Sequence, residues 1–489
     1  MRRSSLLVII TIVAGAVVGA VGGCVFYLNP QCSDLVQNGS ETDIDCGGSC
    51  GPCTIGHSCS RGQDCNNGYC LAGTCEPLPC VNGRKDFDET DVDCGGGTCR
   101  KCSGARHCSL DSDCAGGHCD QGQCRSLRIV EFSEATAYPA ELKTYALFAG
   151  DFNHDGNIDL VAANEEASTI SMFLGRGDGT FDKLGSYPTG EYPTGGMVVD
   201  FNRDGNLDLL TANFHGNSVS VLLGNGDGSL GPVASYPTTP AGETSNLAVG
   251  DLNGDGYPDV IATNQGTGTV SEFMSRFDGT LGPSVTAPVG PQGLEHLPRP
   301  FSAAIGDFDE DGKNDMAALD NTFAALIVRL GKGDGTFGAE VDYPEGGTPP
   351  GIVMTYDMNF DGHLDLVVAN RGTDDVAGNV SVLLGNGDGT FQAPIASPTG
   401  AGTNPYSLAV ADFNQDGVPD VVTANFLSNN ASVLIGVGDG SFEAPIIVGP
   451  TGNTSYGVVA EDLNGDGIPD LAVCNASSND VTIMLSTSH

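Results

Sequence analysis

Asp151-Phe152-Asn153-His154-Asp155-Gly156-Asn157-Ile158-Asp159, running into Leu160-Val161-Ala162-Ala163, is the stretch that decides the architecture of this chain. Oxygen-bearing side chains at positions 1, 3, 5 and 9 can wrap a hard cation, and Gly at position 6 permits a sharp backbone turn. An EF-hand would need Glu at position 12, where Ala162 stands. The apolar, strand-like text after the loop places it between two strands rather than two helices.

The pattern D-x-[ND]-x-D-G-x-x-D occurs seven times, with starts 49, 51, 56, 50, 55 and 50 residues apart. Position 1 is Asp151, Asp200, Asp251, Asp307, Asp357, Asp412 and Asp462. Position 3 is Asn153, Asn202, Asn253, Asp309, Asn359, Asn414 and Asn464. Position 5 is Asp155, Asp204, Asp255, Asp311, Asp361, Asp416 and Asp466. Position 9 is Asp159, Asp208, Asp259, Asp315, Asp365, Asp420 and Asp470. Carboxylates so close together repel unless a cation neutralises them. We therefore expect about seven structural Ca²⁺ ions, with position 7 adding a backbone carbonyl.

After each of the first six loops comes an Asp-Gly turn, as in Gly177-Asp178-Gly179-Thr180-Phe181 and Gly387-Asp388-Gly389-Thr390-Phe391. Asp-Gly between apolar runs is a hairpin signal. Arg176-Gly177-Asp178 spells an RGD tripeptide, but sibling repeats carry Asn or Lys in place of the arginine, so it reads as a turn variant. Each repeat then holds four strands, in the first near residues 146–150, 158–164, 169–175 and 182–188. Four short strands repeated seven times predict an all-β, seven-bladed propeller. The seventh repeat ends without its Asp-Gly turn and fourth strand. Phe132 and Tyr138, spaced like Phe181 and Tyr187, supply the missing text, so residues 129–138 should pair with the last blade.

Asp412-Phe413-Asn414-Gln415-Asp416-Gly417 and Leu384-Gly385-Asn386-Gly387-Asp388-Gly389-Thr390-Phe391 resemble the FG-GAP/VCBS repeats of bacterial surface proteins. The loops are also similar to those of the integrin α-chain propeller. The resemblance covers residues 127–489 and implies adhesion or ligand binding more often than catalysis.

Strand alternation puts the metal loops and Asp-Gly turns on one face, and the remaining connections on the other. Two insertions, at 290–300 and 371–379, belong to that other face and to neighbouring blades four and five. Loops on a rigid scaffold are where binding residues gather. They single out a partner patch of Glu295, His296, Arg299, Arg371, Asp374 and Asp375.

Of 18 cysteines, 16 form two octets with gaps 14, 4, 3, 6, 6, 5, 5 and 14, 5, 3, 6, 6, 5, 5. These duplicated modules, 29–76 and 77–126, are too small to stabilise a core and call for disulfides. Zinc at Cys50 and Cys53 with His57 is the competing reading, disfavoured by an oxidising setting. Cys474, in an apolar run, should be a buried free thiol.

Arg2 and Arg3 precede the apolar residues 6–28, an export signature. Three fates are open: lipidation at Cys24 within Val21-Gly22-Gly23-Cys24, an uncleaved membrane helix, or cleavage. All three put the mature chain outside the cytoplasm. A formal charge of −42 argues against nucleic acid as a partner. No Ser/His/Asp constellation or cofactor motif stands out; Gly47-Gly48-Ser49-Cys50-Gly51 matches G-x-S-x-G without the strand–turn–helix that motif needs. The expectation is a non-enzymatic, calcium-stabilised surface or secreted binder of a protein or glycan. A purely structural envelope component and a propeller-based polysaccharide-active enzyme are the alternatives.

Overall fold

The computed structural model describes residues 130–488 apart from 292–295, 348 and 374–376. Before them it describes 107–110, 112 and six short strands at 17–21, 24–28, 70–71, 74–75, 119–120 and 123–124. Seven four-stranded antiparallel sheets follow one another as blades. Blade 1 is Thr144–Gly150, Asp159–Asn164, Thr169–Gly175 and Phe181–Pro188. Blade 4 is Pro300–Gly306, Asp315–Asp320, Ala325–Gly331 and Phe337–Pro344. Blade 5 is Pro350–Tyr356, Asp365–Asn370, Asn379–Leu383 and Ile395–Pro398.

The last blade closes as its sequence requires. Ser455–Glu461, Asp470–Asn475 and Asp480–Met484 are completed by Thr136–Pro139, with Val481 opposite Tyr138. Phe132 forms a further bridge with Ser486. Pairing the two ends of the repeat region closes the ring and gives the last blade its fourth strand.

Packing follows from strand rank. Every residue of all seven second strands is buried, because a central strand between two neighbouring blades has no solvent face. Leu160-Val161-Ala162-Ala163 is accordingly apolar on both sides. The outermost strands face solvent, as in the exposed Asp182, Lys183 and Leu184 of blade 1. One apolar cluster fills each junction between blades. The junction that closes the ring packs Leu160 and Phe173 against Cys474 and Ile483. Where Pro232, Pro283, Pro394 and Pro445 stand, the fourth strand is short, because proline has no N–H for the ladder. Blades 1 and 4 lack that proline and keep eight-residue outer strands.

Of residues 6–28, for which an uncleaved membrane helix is one of three readings, the structure describes 17–21 and 24–28; the rest lies outside the described residues. Val17–Val21 pairs antiparallel with Cys24–Leu28. β-Branched valines favour strands. Among the described residues, no helix is long and apolar enough to cross a membrane. Cys108 and Cys119 are disulfide-bonded, as the octet reading requires of them. The other octet cysteines are outside the described residues or described only as backbone, and the zinc reading at Cys50, Cys53 and His57 lies wholly outside them.

Candidate functional site

The aspartate loops fold as one repeated device. In blade 1, Asp151 Oδ2 accepts the N–H of Gly156 at 2.9 Å, and Asp155 Oδ1 accepts that of Asn157 at 2.8 Å. The same Gly-to-position-1 bond recurs in all seven loops at 2.8–3.0 Å. Position 4 takes a left-handed conformation in every loop, from His154 at φ 59° to Gly465 at φ 77°. It reaches the next loop: His154 Nε2 lies 3.0 Å from Asn206 Oδ1, and Gln415 Nε2 donates to Gly467 O at 2.7 Å. Glu310 meets His363 in the same way and raises the His363 pKa.

Position 9 does more than the sequence suggests. Asp159 is fully buried; its Oδ2 accepts from Phe152 N–H at 2.9 Å and its Oδ1 from Gly175 N–H at 2.8 Å. All seven position-9 carboxylates bridge the loop to the end of the third strand. Burial pushes Asp159, Asp259, Asp315, Asp365 and Asp470 up to about 6, and Asp420 to about 8, against the pull of those N–H donors. Asp208 is raised for the same reason.

The donor set fits a hard cation. A carboxylate oxygen that accepts one N–H keeps a second lone pair, so the backbone bonds pre-shape the loop without exhausting it. Among the described residues, Asp307, Asp309 and Asp315 bring carboxylate oxygens within 4.8 Å of one another. That is the loop with Asp at position 3, and Lys313 pairs there with Asp311.

The opposite face opens into a central funnel of about 520 Å³. Its wall comes from the first strands, at the slot six residues before each metal loop. Tyr145, Phe301, Tyr406 and Tyr456 occupy that slot in blades 1, 4, 6 and 7, whereas blades 2 and 3 carry Thr194 and Ser245. Tyr145 stacks on Tyr456 at 4.2 Å and bonds hydroxyl to hydroxyl with Tyr406. Burial raises all three phenol pKa values, so the hydroxyls stay neutral donors. With Gly351 in blade 5, small residues fill the slot in three blades and rings fill it in four, so the funnel wall is partly aromatic.

Of the sequence-predicted patch, Arg299 and Arg371 line this funnel together. The Arg371 guanidinium lies 5.0 Å from the Tyr406 ring centre and 5.5 Å from that of Phe301, while Arg299 approaches Glu243 at 3.6 Å and Gln265 at 3.3 Å. His296 is exposed and does not line it. Glu295, Asp374 and Asp375 lie outside the described residues. The tyrosines were missed because no single repeat marks them; aligning the seven slots would have shown the bias.

The chain is 26% identical over 225 residues to integrin alpha pat-2 of Caenorhabditis briggsae, covering 38% of this chain and 18% of that protein. The chain thus spans under a fifth of that relative's length. Among solved structures, BBS1N in a complex with ARL6DN superposes with a TM-score of 0.50 at 12% identity, covering 72% of this chain and 96% of that one. An Agrocybe aegerita lectin described as recognising terminal N-acetylglucosamine gives 0.43 at 18% identity, covering 70% and 85%. The model for the FG-GAP-like repeat matches residues 151–211, 200–262, 251–318, 307–368, 357–423 and 416–473. By repeats, loops and blades alike, this chain belongs to the FG-GAP-like repeat family.

Proposed function

We propose that this is a calcium-stabilised, non-enzymatic binding protein of the cell surface or extracellular space. Its propeller engages a protein or glycan partner through the face opposite the metal loops. The observation that carries this reading is the funnel: a concave, half-aromatic opening with two arginines at its rim. Aromatic and arginine side chains in a concave site are the groups that anchor partners most strongly. Ca²⁺ held at positions 1, 3, 5 and 9 would stiffen the far face and hold the blades in register. The cysteine modules would act as a spacer between the propeller and whatever holds residues 1–28. The remote integrin relative supports adhesion as the class of activity. Exported full-length protein, tested on glycan arrays and on cell surfaces, should be captured in calcium and lose at least tenfold in affinity on Arg371→Ala or Tyr406→Ala. Equal capture by wild type and both variants would remove the funnel from consideration.

A further inference from the structure

Each second strand ends in a fully buried amide or acid, at the end opposite the metal loop. In six blades it is Asn, and in blade 4 it is Asp320. In five blades a hydroxyl satisfies the Asn carbonyl. Thr144 donates to Asn164 at 3.3 Å, Thr244 to Asn264 at 3.1 Å and Ser455 to Asn475 at 2.9 Å. Thr211 and Thr423 serve Asn213 and Asn425 from the second strand itself, at 3.2 and 3.0 Å.

Blades 4 and 5 have lost both kinds of donor. Pro300 and Ala318 stand in the two places around Asp320, and Pro350 and Val368 in those around Asn370. On the third strand, Ile327 replaces the serine that faces Ala162 in blade 1. Where the outer strands of blades 1, 2 and 5 are followed by Thr189, Thr238 and Thr399, that of blade 4 is followed by Glu345. Asp320, Ala325 and Pro344 lie side by side across the sheet, so Glu345 emerges beside Asp320. Asn370 Nδ2 donates to the Glu345 carbonyl at 3.4 Å, which ties blade 5 to the same spot.

The result is a group of buried oxygens without donors. Glu345 is 1% exposed, and neither of its carboxylate oxygens has a hydrogen-bond partner. Asp320 Oδ2 and Asn370 Oδ1, both on residues with no exposure, also lack one. Asp320 Oδ1 is used by the N–H groups of Arg299 and Thr322, both at 2.8 Å. Arg371, the nearby cation, bonds Pro350 O and lies over two rings. Two buried carboxylates and an amide carbonyl without partners cost several kcal/mol unless a cation or a proton neutralises them.

We infer that Asp320, Glu345 and Asn370 form a further cation site between blades 4 and 5, suited to Ca²⁺. The donors are all oxygen, which selects a hard ion, and two carboxylates match a divalent charge. The site is distinct from the loop of the same blade. Asp315 and Asp320 are opposite ends of one strand, roughly 17 Å apart at the usual rise. It sits under the funnel rim at Arg299 and Arg371, so it would brace the two blades that carry the insertions.

Crystals of the full chain grown in calcium and soaked in a lanthanide give the direct test. An anomalous peak among Asp320, Glu345 and Asn370, separate from the loop peaks, is the expected result. Water or empty density there, with the loops occupied, overturns the site. The double variant Asp320→Asn with Glu345→Thr restores what other blades carry. Its calcium content, measured by atomic emission after dialysis, should fall by one ion per chain, and an unchanged content also overturns the site.

Discussion

The backbone N–H of Gly179 donates to the carbonyl oxygen of Leu463 at 3.0 Å, joining the Asp-Gly turn of the first blade to the metal loop of the last. Gly228 bonds Phe152, Gly335 bonds Leu252 and Gly389 bonds Phe308 in the same sense, each turn resting on the loop of the preceding blade. Metal loops and blade contacts are therefore one mechanical system, and a loop that loses its shape loosens its neighbour.

Gly179 has φ +79°, and a methyl placed on it would come within 2.6 Å of Leu485 Cδ1 in the closing blade. Gly179→Ala should lower stability by about 1–3 kcal/mol. Gly185 has open space around it and no left-handed backbone, so Gly185→Ala should change stability by about half a kcal/mol or less. Thermal melts of the two variants check this contrast.

Chelation should lower the melting temperature markedly. A ligand at a thousand times its Kd stabilises the folded state by about 4 kcal/mol per site. Calorimetry with EDTA and with excess Ca²⁺ measures it, and superimposable curves would refute structural calcium.

The position-9 pKa values set the pH dependence. Asp159 and four of its counterparts rise from 3.8 to about 6 on folding without metal. Between those values the folded chain holds protons that the unfolded chain has released. Their contribution to metal-free stability is therefore fully present below pH 3.8 and is lost as pH rises through about 6. Calcium needs the ionised carboxylates, so its stabilising increment should grow from pH 5 to pH 7.5. Melts with and without chelator at both pH values test the sign.

Asp155→Asn and Asp159→Asn should part company. Asp159 accepts two backbone N–H groups while fully buried, so its amide variant should cost about 1–3 kcal/mol even in EDTA. Asp155 is exposed, and its variant should act chiefly by weakening the response to calcium. Denaturant titrations in both conditions separate the two.

Cys474 is the free cysteine among the described residues, and burial pushes its thiol up to about 12. Iodoacetamide should leave its peptide unmodified in the native protein and alkylate it after denaturation, as read by peptide mass.

Much of the fold was legible because its determinants are local. The seven Asp loops, the Asp-Gly turns and the spacing of Phe132 to Tyr138 each act within a dozen residues, and so they named the blades and the closing strand. The spacing of the loop acids could be read along the chain, but the double duty of Asp159 could not, since Gly175 lies beyond the loop.

The chain's own text determined the repeat, the spacing of the loop acids and the ring's closure, because strand, turn and loop chemistry repeat with short periods. Tertiary structure alone decided that Tyr145, Tyr406 and Tyr456 meet in one funnel, that Arg299 and Arg371 share its rim, and that Asp320 Oδ2 and both carboxylate oxygens of Glu345 are buried without donors. The funnel groups are far apart in sequence, and only the arrangement of the blades around the ring brings them within reach; Asp320 and Glu345 meet across the strands of one sheet.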